Sequence, residues 1–332
     1  MNQKKITYVI HYHNDRAALI KTLESITKQE VHHVHYDVLI FDDAAPDHGA
    51  KAIRSYIQEK QLLNVNLVAF ANPLGFAGIY HFMMNNDLLK SEYVSFLKPG
   101  DLVNQGWINH FCTHLYPLKQ DLYWNSVEAE VVTVYLKETK RQQPTLEIQT
   151  KQFLINPNRL RGSLTSDQMV ASWHIFMGKT YRLEAIKNMP VAANKILYQE
   201  FAIYQKLINK CQSAYADNFV AGFTVFKPLP TEILTKEHVK LLNKTLNPLI
   251  NKADPVLNGV ILKLIALAMQ QTQKESLHYY RLHKFADLKK NFKLKKIKGL
   301  NVNHFMIKRK TKLLATTGKN RPKKKQPAAA KA

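Results

Sequence analysis

The sequence has few cysteines and no long uninterrupted hydrophobic segment. Cys112 and Cys211 are far apart and match no metal-ligand spacing, which argues against a disulfide framework or a zinc motif and favours buried thiols in a reducing compartment. The longest apolar run, Val256 to Met269, is interrupted by Asn258 and Lys263. Because a membrane-spanning helix needs about 20 apolar residues, this run is too short and too polar to cross a bilayer.

Two common sequence signals are also missing. No N-terminal stretch combines a basic region, an apolar core and a small-residue cleavage site, so we expect no signal peptide and a cytoplasmic protein. No turn contains G-x-G-x-x-G or a P-loop, so nothing supports a dinucleotide or Walker-type site. What is present is a hydrophobic fraction of 45% in 332 residues, enough for one large core or two smaller ones.

The net charge of +23 is distributed unevenly. The first 226 residues hold 23 basic and 20 acidic residues, a net charge of only +3. From Lys227 onward there are 25 Lys and Arg against 5 Asp and Glu, a net charge of +20. We therefore expect an anionic partner to be selected by the C-terminal region and not by the N-terminal one.

The first hundred residues alternate between strand-like and helix-like hydrophobic patterns. Strand patterns occur at residues 6–10, 38–41, 65–70 and 93–97, and helical spacing at residues 16–26, 50–57 and 76–89. This alternation predicts a parallel α/β sheet covered on both faces, with ligands at the carboxyl ends of its strands. Residues 122–136 predict added strands of another kind, residues 169–189 a strand and a basic helix, and residues 198–208 a helix.

Three regions follow from these patterns and from the charge. Residues 1–226 are predicted to form the α/β domain, and residues 227–314 a basic, mostly helical extension. Residues 315–332 are rich in Lys, Pro and Ala and predict a disordered basic tail.

Four segments at the strand ends resemble the family-2 glycosyltransferases. They are VIHYHN (residues 9–14), FDDAAPD (41–47), NPLGFA (72–77) and YVSFL (93–97), beside the usual family forms I-P-x-Y-N, V-D-D-G-S-x-D and E-N-x-G-x-A. Order and spacing fit over residues 5 to about 110, and a weaker likeness continues to about residue 226. The resemblance implies a Rossmann-like GT-A fold and a nucleotide diphosphate-sugar donor, of the UDP-sugar class.

The first two turns would then bind the nucleotide. By the resemblance Asp43 occupies the position that reads the base and Asp42 the position that braces the loop, while Tyr12 or His13 stacks on the base. A carboxylate at a strand end can accept the N–H of a uracil ring. The alternative is that Asp42 and Asp43 only cap the helix near Ala50.

The third and fourth turns would hold the diphosphate. Gly75 lets the backbone approach a ligand at a helix N-terminus, although a plain strand–turn–helix connection explains it equally well. In FLKPGD (residues 96–101) Lys98 and Gly100 replace two carboxylates of the family form D-x-D-D, and Asp101 is left as the ligand for Mn²⁺ or Mg²⁺. Lys98 could instead replace the metal charge, or the segment could be an ordinary turn.

The catalytic base would come from a later helix. An inverting transfer needs a carboxylate that takes the proton of the acceptor hydroxyl. Glu200 occupies the matching position in a segment that resembles the family's E-D pair, and Trp173 and His174 precede it in a segment like the acceptor-side lining. A glutamate near a helix start is also favourable electrostatics alone.

The basic region after residue 227 suggests a surface contact. Lys and Arg alternate with Leu, Ile and Phe over residues 284–314, which suits an amphipathic surface on an anionic leaflet or polymer. Nucleic acid is the rival partner but lacks a supporting motif, and a solvated face is the plainest interpretation.

The combined prediction is an inverting glycosyltransferase acting on a cell-envelope glycan or lipid-linked acceptor at the inner face of the membrane. The alternative is a catalytically impaired GT-A-like protein that binds a partner or an anionic polymer.

Overall fold

The computed structural model describes residues 5–29, 36–137, 145–159, 175–189 and 199–227, together with Ile261 and Leu264. Within these residues nine strands form one mixed sheet. The strands are β1 (Ile6–Tyr12), β2 (Tyr36–Asp42), β3 (Val65–Ala69), β4 (Tyr93–Leu97), β5 (Leu102–Val103), β6 (Leu122–Lys137), β7 (Thr145–Ile155), β8 (Lys179–Arg182) and β9 (Ala214–Phe226).

The helices lie between these strands. The α-helices are α1 (Arg16–Thr27), α2 (Ala50–Glu59), α3 (Gly75–Asn85), α4 (Trp107–His110), α5 (Leu183–Ile186) and α6 (Gln199–Lys210). A π-helical turn (Phe111–Leu115) and two 3₁₀ turns (Tyr116–Leu118 and Pro157–Arg159) complete the described helices. None of the described helices has the length and apolar character that crossing a bilayer requires.

The first four strands pair with one another in parallel, in the order β3-β2-β1-β4. Tyr12 pairs with Asp42 and Asp42 pairs with Ala69, while Ile10 pairs with Leu97. Because parallel strands in this register end at the same level, their four following turns meet along one edge of the sheet. The predicted strand–helix alternation of residues 6–97 is confirmed.

Alternate residues of β1 face two different hydrophobic cores. The even-numbered residues Ile6 to Tyr12 belong to one cluster with apolar residues of α1 and α2, and Ile261 and Leu264 are buried in the same cluster. Val9 faces the other cluster, with α3 and α6. This alternation is the period-2 pattern expected of a strand covered on both sides.

The second half of the sheet has mixed directions. β8 is antiparallel to both β4 and β6, and β6 forms a long antiparallel hairpin with β7. β9 runs parallel to β6 and antiparallel to the short strand β5, which directly follows the fourth turn. The end of β9 is therefore held beside that turn.

The end of the third helix differs from the prediction. The apolar spacing predicts a helix over residues 76–89, but α3 ends at Asn85. Asp87 has φ +48°, a left-handed conformation that a continuing right-handed helix cannot contain. Leu89 is buried beyond that break, so the apolar pattern continues after the helix has stopped.

Both cysteines are free thiols, and the prediction that they are buried holds for Cys112 only. Cys112 is buried and Cys211 is half-buried. Burial raises the pKa of Cys112 to about 11 and that of Cys211 to about 12, which keeps both thiols protonated near neutral pH.

Candidate functional site

The first three turns at the carboxyl edge are connected by hydrogen bonds. The Asp43 amide donates to the Tyr12 carbonyl at 2.9 Å, and the Phe70 amide donates to the Asp42 carbonyl at 2.9 Å. These bonds extend the parallel ladder past the ends of the strands. The side chains of Asp42, Asp43 and Lys98 consequently start from one edge, as the sequence predicts.

The Asp43 carboxylate contacts both the end of β1 and the start of α3. Its Oδ1 accepts from the Leu74 amide, and its Oδ2 accepts from the Gly75 amide at 2.9 Å and lies 3.0 Å from His11 Nε2. Burial by itself would raise the pKa of Asp43, but the hydrogen bonds from His11 and the two amides hold that pKa below its usual value. Asp43 therefore joins the ends of β1 and β2 to the start of α3.

Asp42 braces its own turn. Its Oδ1 accepts from the Ala45 amide at 2.9 Å, and its side chain is buried. Ala44, which lies between Asp42 and Ala45 in the chain, has φ +53°. This contact is what a loop-bracing residue makes, and it forms an Asx-type turn instead of capping α2, which has Gly49 before its first residue.

Gly75 has φ +68° and is the first residue of α3. A residue with a side chain is strained at that angle, so the turn requires glycine or a residue that tolerates the left-handed region. Because the Gly75 amide already donates to Asp43, one of the free N–H groups of this helix N-terminus is occupied by a protein carboxylate.

Tyr12 is fully buried in the core, whereas His13 is exposed. The Tyr12 hydroxyl donates to Asp47, with both carboxylate oxygens within 2.6 Å. Asp47 also accepts from the Gly49 amide at 3.2 Å, so Tyr12 and Asp47 together fasten the second turn. In this conformation the Tyr12 ring is not available to stack on a base, and His13 is the aromatic residue of the first turn that is.

The fourth turn is closed by β9. Asp101 is 1% exposed; its Oδ1 accepts from the Thr224 hydroxyl at 2.5 Å and its Oδ2 from the Lys98 amide at 2.9 Å. The Lys98 ammonium donates to the Val225 carbonyl. Burial raises the pKa of Asp101, an effect partly offset by Lys98 and by the hydrogen bond from Thr224.

The described residues do not fit a divalent cation at this turn. A hard metal ion needs several oxygen ligands that can approach it together. Asp101 is enclosed and both its oxygens accept hydrogen bonds, and Lys98 and Gly100 contribute no carboxylate. In the part of the chain that the structure describes, no three His, Cys, Asp or Glu residues cluster as metal ligands.

The acceptor side is described in part. Glu200 lies in the first turn of α6, whose neighbouring residues Ile203, Tyr204 and Leu207 pack against the core that contains α3. Trp173 and His174 lie outside the described residues. So do the predicted basic extension and tail, apart from Lys227, Ile261 and Leu264.

The sequence patterns assigned no role to His11 or to Lys179. His11 pairs with Phe41 in the β1–β2 register, and Asp43 is two residues beyond Phe41, so the period of a strand puts His11 and Asp43 on one face. The alternation along each strand could be found in the sequence, but the β1–β2 register that brings the two residues together could not. Thr224 and Val225 could not be connected to the fourth turn by any spacing, because more than 120 residues separate the partners.

Lys179 is buried at the start of β8, next to the end of β4. Its ammonium donates to the Ile175 carbonyl and lies 4.8 Å from the centroid of the Trp124 ring. Burial lowers the pKa of Lys179 to about 7. A lysine with such a pKa changes its charge near neutral pH at the same edge of the sheet as the four turns.

Known proteins resemble this chain in sequence and in fold. Residues 7–171 match the family model described as Glycosyl transferase family 2. A Mycoplasma genitalium protein named "Uncharacterized glycosyltransferase MG060" is 30% identical over 108 residues, which are 32% of this chain and 36% of that protein. The chain therefore spans little more than a third of that relative.

Two solved structures share the fold. S. aureus TarS 1-349, solved in complex with UDP-GlcNAc, has a TM-score of 0.53 at 10% identity, covering 86% of this chain and 79% of its own. The mannosyltransferase PcManGT from Pyrobaculum calidifontis, in complex with GDP-Man and Mn²⁺, has a TM-score of 0.51 at 15% identity, covering 94% and 87%. At these identities the likeness concerns the fold alone, and it confirms the predicted GT-A fold.

Proposed function

We propose that this chain is a glycosyltransferase, because residues 7–171 match the model of Glycosyl transferase family 2. A sugar is transferred from a nucleotide diphosphate donor of the UDP-sugar class to a cell-envelope glycan or polymer acceptor, with inversion at the anomeric carbon. The observation that carries the proposal is the arrangement of Asp43, Gly75 and Lys98 along one edge of a parallel sheet, where α/β folds bind ligands.

In the proposed function the nucleotide binds at the first three turns. Asp43 Oδ1 accepts one hydrogen bond, from Leu74, and a carboxylate oxygen can accept a second one, such as the N–H of a pyrimidine base. The exposed His13 ring supplies a stacking surface beside it. That TarS and PcManGT were solved with UDP-GlcNAc and GDP-Man supports a nucleotide-sugar ligand for this fold.

In the proposed function the diphosphate binds at the fourth turn and the acceptor lies beside α6. The Lys98 ammonium donates one of its three N–H bonds to Val225, which leaves the others for phosphate oxygens. Glu200, in the first turn of α6, takes the proton of the attacking acceptor hydroxyl. The basic region after Lys227 holds the enzyme on an anionic membrane surface or polymer, where a lipid-linked acceptor is met.

Calorimetry with UDP, GDP, CDP and ADP tests donor binding. We expect UDP to bind most tightly and Asp43→Asn to lower its affinity about tenfold, the usual result of losing one charge-assisted hydrogen bond. Asp87→Asn is the matched control, because Asp87 is exposed and pairs with Lys90 at the far end of α3. If none of the four nucleotides binds, the proposed function is wrong.

A transfer assay tests the chemistry. Glu200→Gln should lower the transfer rate at least about 100-fold while leaving UDP affinity unchanged, since a general base contributes to catalysis and not to donor binding. The anomeric configuration of the product, measured by NMR, tests inversion. A retained configuration would contradict the assigned mechanism.

A second candidate is favoured by the closed fourth turn. With Asp101 enclosed by Thr224 and Lys98, the protein can also be a GT-A-like binder of a partner or an anionic polymer without transfer activity. This candidate predicts polymer binding that depends on the region after Lys227, with no nucleotide binding by the α/β domain.

A further inference from the structure

The fourth turn is attached to the rest of the fold at every residue that a metal site would use. Gly100 donates through its amide to Thr22 Oγ1 at 2.9 Å and has φ +94°. Asp101 is bonded to Thr224, and the Asp101 amide donates to the Lys98 carbonyl at 3.1 Å. The turn is thus tied to α1 on one side and to β9 on the other.

Opening this turn to a metal would separate several partners together. Asp101 is 1% exposed, so to present both carboxylate oxygens to a cation it would have to move out of its enclosed position, away from the Thr224 hydroxyl and the Lys98 amide. Buried hydrogen-bond donors left without an acceptor are costly. The geometry identifies Asp101 as the acceptor that closes the turn.

The position beside it carries a positive charge. Lys98 stands where the related motif has a carboxylate, directly after β4 and at the edge to which the proposed function assigns the diphosphate. Its side chain is half-buried and its ammonium is held by the Val225 carbonyl, so its position is defined by β9. A fixed ammonium at this place offsets phosphate charge as a bound cation would.

We propose that this protein binds its nucleoside diphosphate without a divalent cation, because Lys98 supplies the positive charge at the fourth turn and Asp101 is committed to closing it. This inference rests on the proposed function and concerns the same site. It also assigns Thr224 and Val225 as positioning residues, since they fix the carboxylate and the ammonium of the turn.

Calorimetric titration of the full chain with UDP, in EDTA and in MnCl₂, tests the proposal. We expect the same affinity in both buffers. Lys98→Met should lower that affinity about tenfold or more in EDTA, and Lys98→Arg, which keeps the charge, should retain most of it. Lys90→Met is the matched control, because Lys90 is an exposed lysine paired with Asp87.

The outcomes separate the two levels of inference. UDP binding that appears only with Mn²⁺ overturns the metal-independent site and leaves the proposed function standing. Failure of UDP, GDP, CDP and ADP to bind in either buffer overturns both. Should Lys98→Met not fold, the comparison of EDTA with MnCl₂ on the unaltered chain still decides the question.

Discussion

Ala44 occupies the left-handed region of backbone conformation although it carries a side chain, with φ +53°. The family form of this turn has glycine there, and the left-handed region costs an alanine about 1–2 kcal/mol. We expect Ala44→Gly to raise the free energy of unfolding by about 1 kcal/mol, measured by urea denaturation. Ala45→Gly is the control: Ala45 has no positive φ, so its replacement should destabilise the protein instead.

Lys179 should make the stability of the protein depend on pH. Its pKa is about 7 in the fold and near 10.5 when unfolded, so between these values the unfolded chain binds more protons. Stability contributed by this group therefore rises as the pH goes from 7 to 10, at about 1.4 kcal/mol for each unit of pKa shift. Lys179→Met should remove that rise, which unfolding curves at several pH values will show.

Lys90→Met provides the comparison for Lys179, because Lys90 is exposed and its loss should leave the rise between pH 7 and pH 10 in place. A profile for Lys179→Met that parallels the unaltered protein would contradict the assignment. The His11 ring lies 3.0 Å from the Asp43 carboxylate, and the β1–β2 register, not a sequence motif, brings the two together.

At the scale of elements, the pairing of β5 with β9 is what closes the fourth turn. Gly222 lies in that pairing, and a Cβ added there would overlap the Leu102 carbonyl oxygen. We expect Gly222→Ala to lower the free energy of unfolding by about 2 kcal/mol or more, because a backbone atom cannot move aside without separating the strands. It should also weaken UDP binding, since Thr224 and Val225 follow directly in β9.

Gly106→Ala is the matched control for this prediction. Gly106 has φ +78°, but a Cβ added there would meet no atom within 4 Å, so its replacement adds only backbone strain of about 1 kcal/mol. Equal destabilisation by the two substitutions would show that the overlap with the Leu102 carbonyl oxygen does not cause the loss of stability.

The hydrophobic periods predicted β1 to β4 and their helices, but β5 has two residues and no period to detect.

At the scale of the whole molecule, the positive charge is concentrated toward the C-terminal end of the sequence. Residues 284–332 contain 17 Lys and Arg and one acidic residue, and an anionic leaflet attracts each basic residue by about 1 kcal/mol. Deleting residues 284–332 should release the protein from vesicles containing anionic lipid, measured by co-sedimentation. The deletion keeps Ile261 and Leu264, which are buried in the core.

Vesicles of zwitterionic lipid alone are the control, since they should bind neither form. Undiminished binding of the shortened protein to anionic vesicles would refute the membrane assignment. Tight, salt-dependent RNA binding that the same deletion abolishes would favour nucleic acid as the partner instead.

The sequence alone determined the parallel α/β half of the fold, because strand and helix periods are local and the four turn motifs lie in order along it. It also placed Asp42, Asp43, Gly75 and Lys98 at one edge, since parallel strands end together. Only the tertiary structure decided which side chains are free there. Tyr12 went to the core because alternate residues of β1 face opposite layers, and Asp101 was enclosed because β9, more than 120 residues later, returns to the fourth turn.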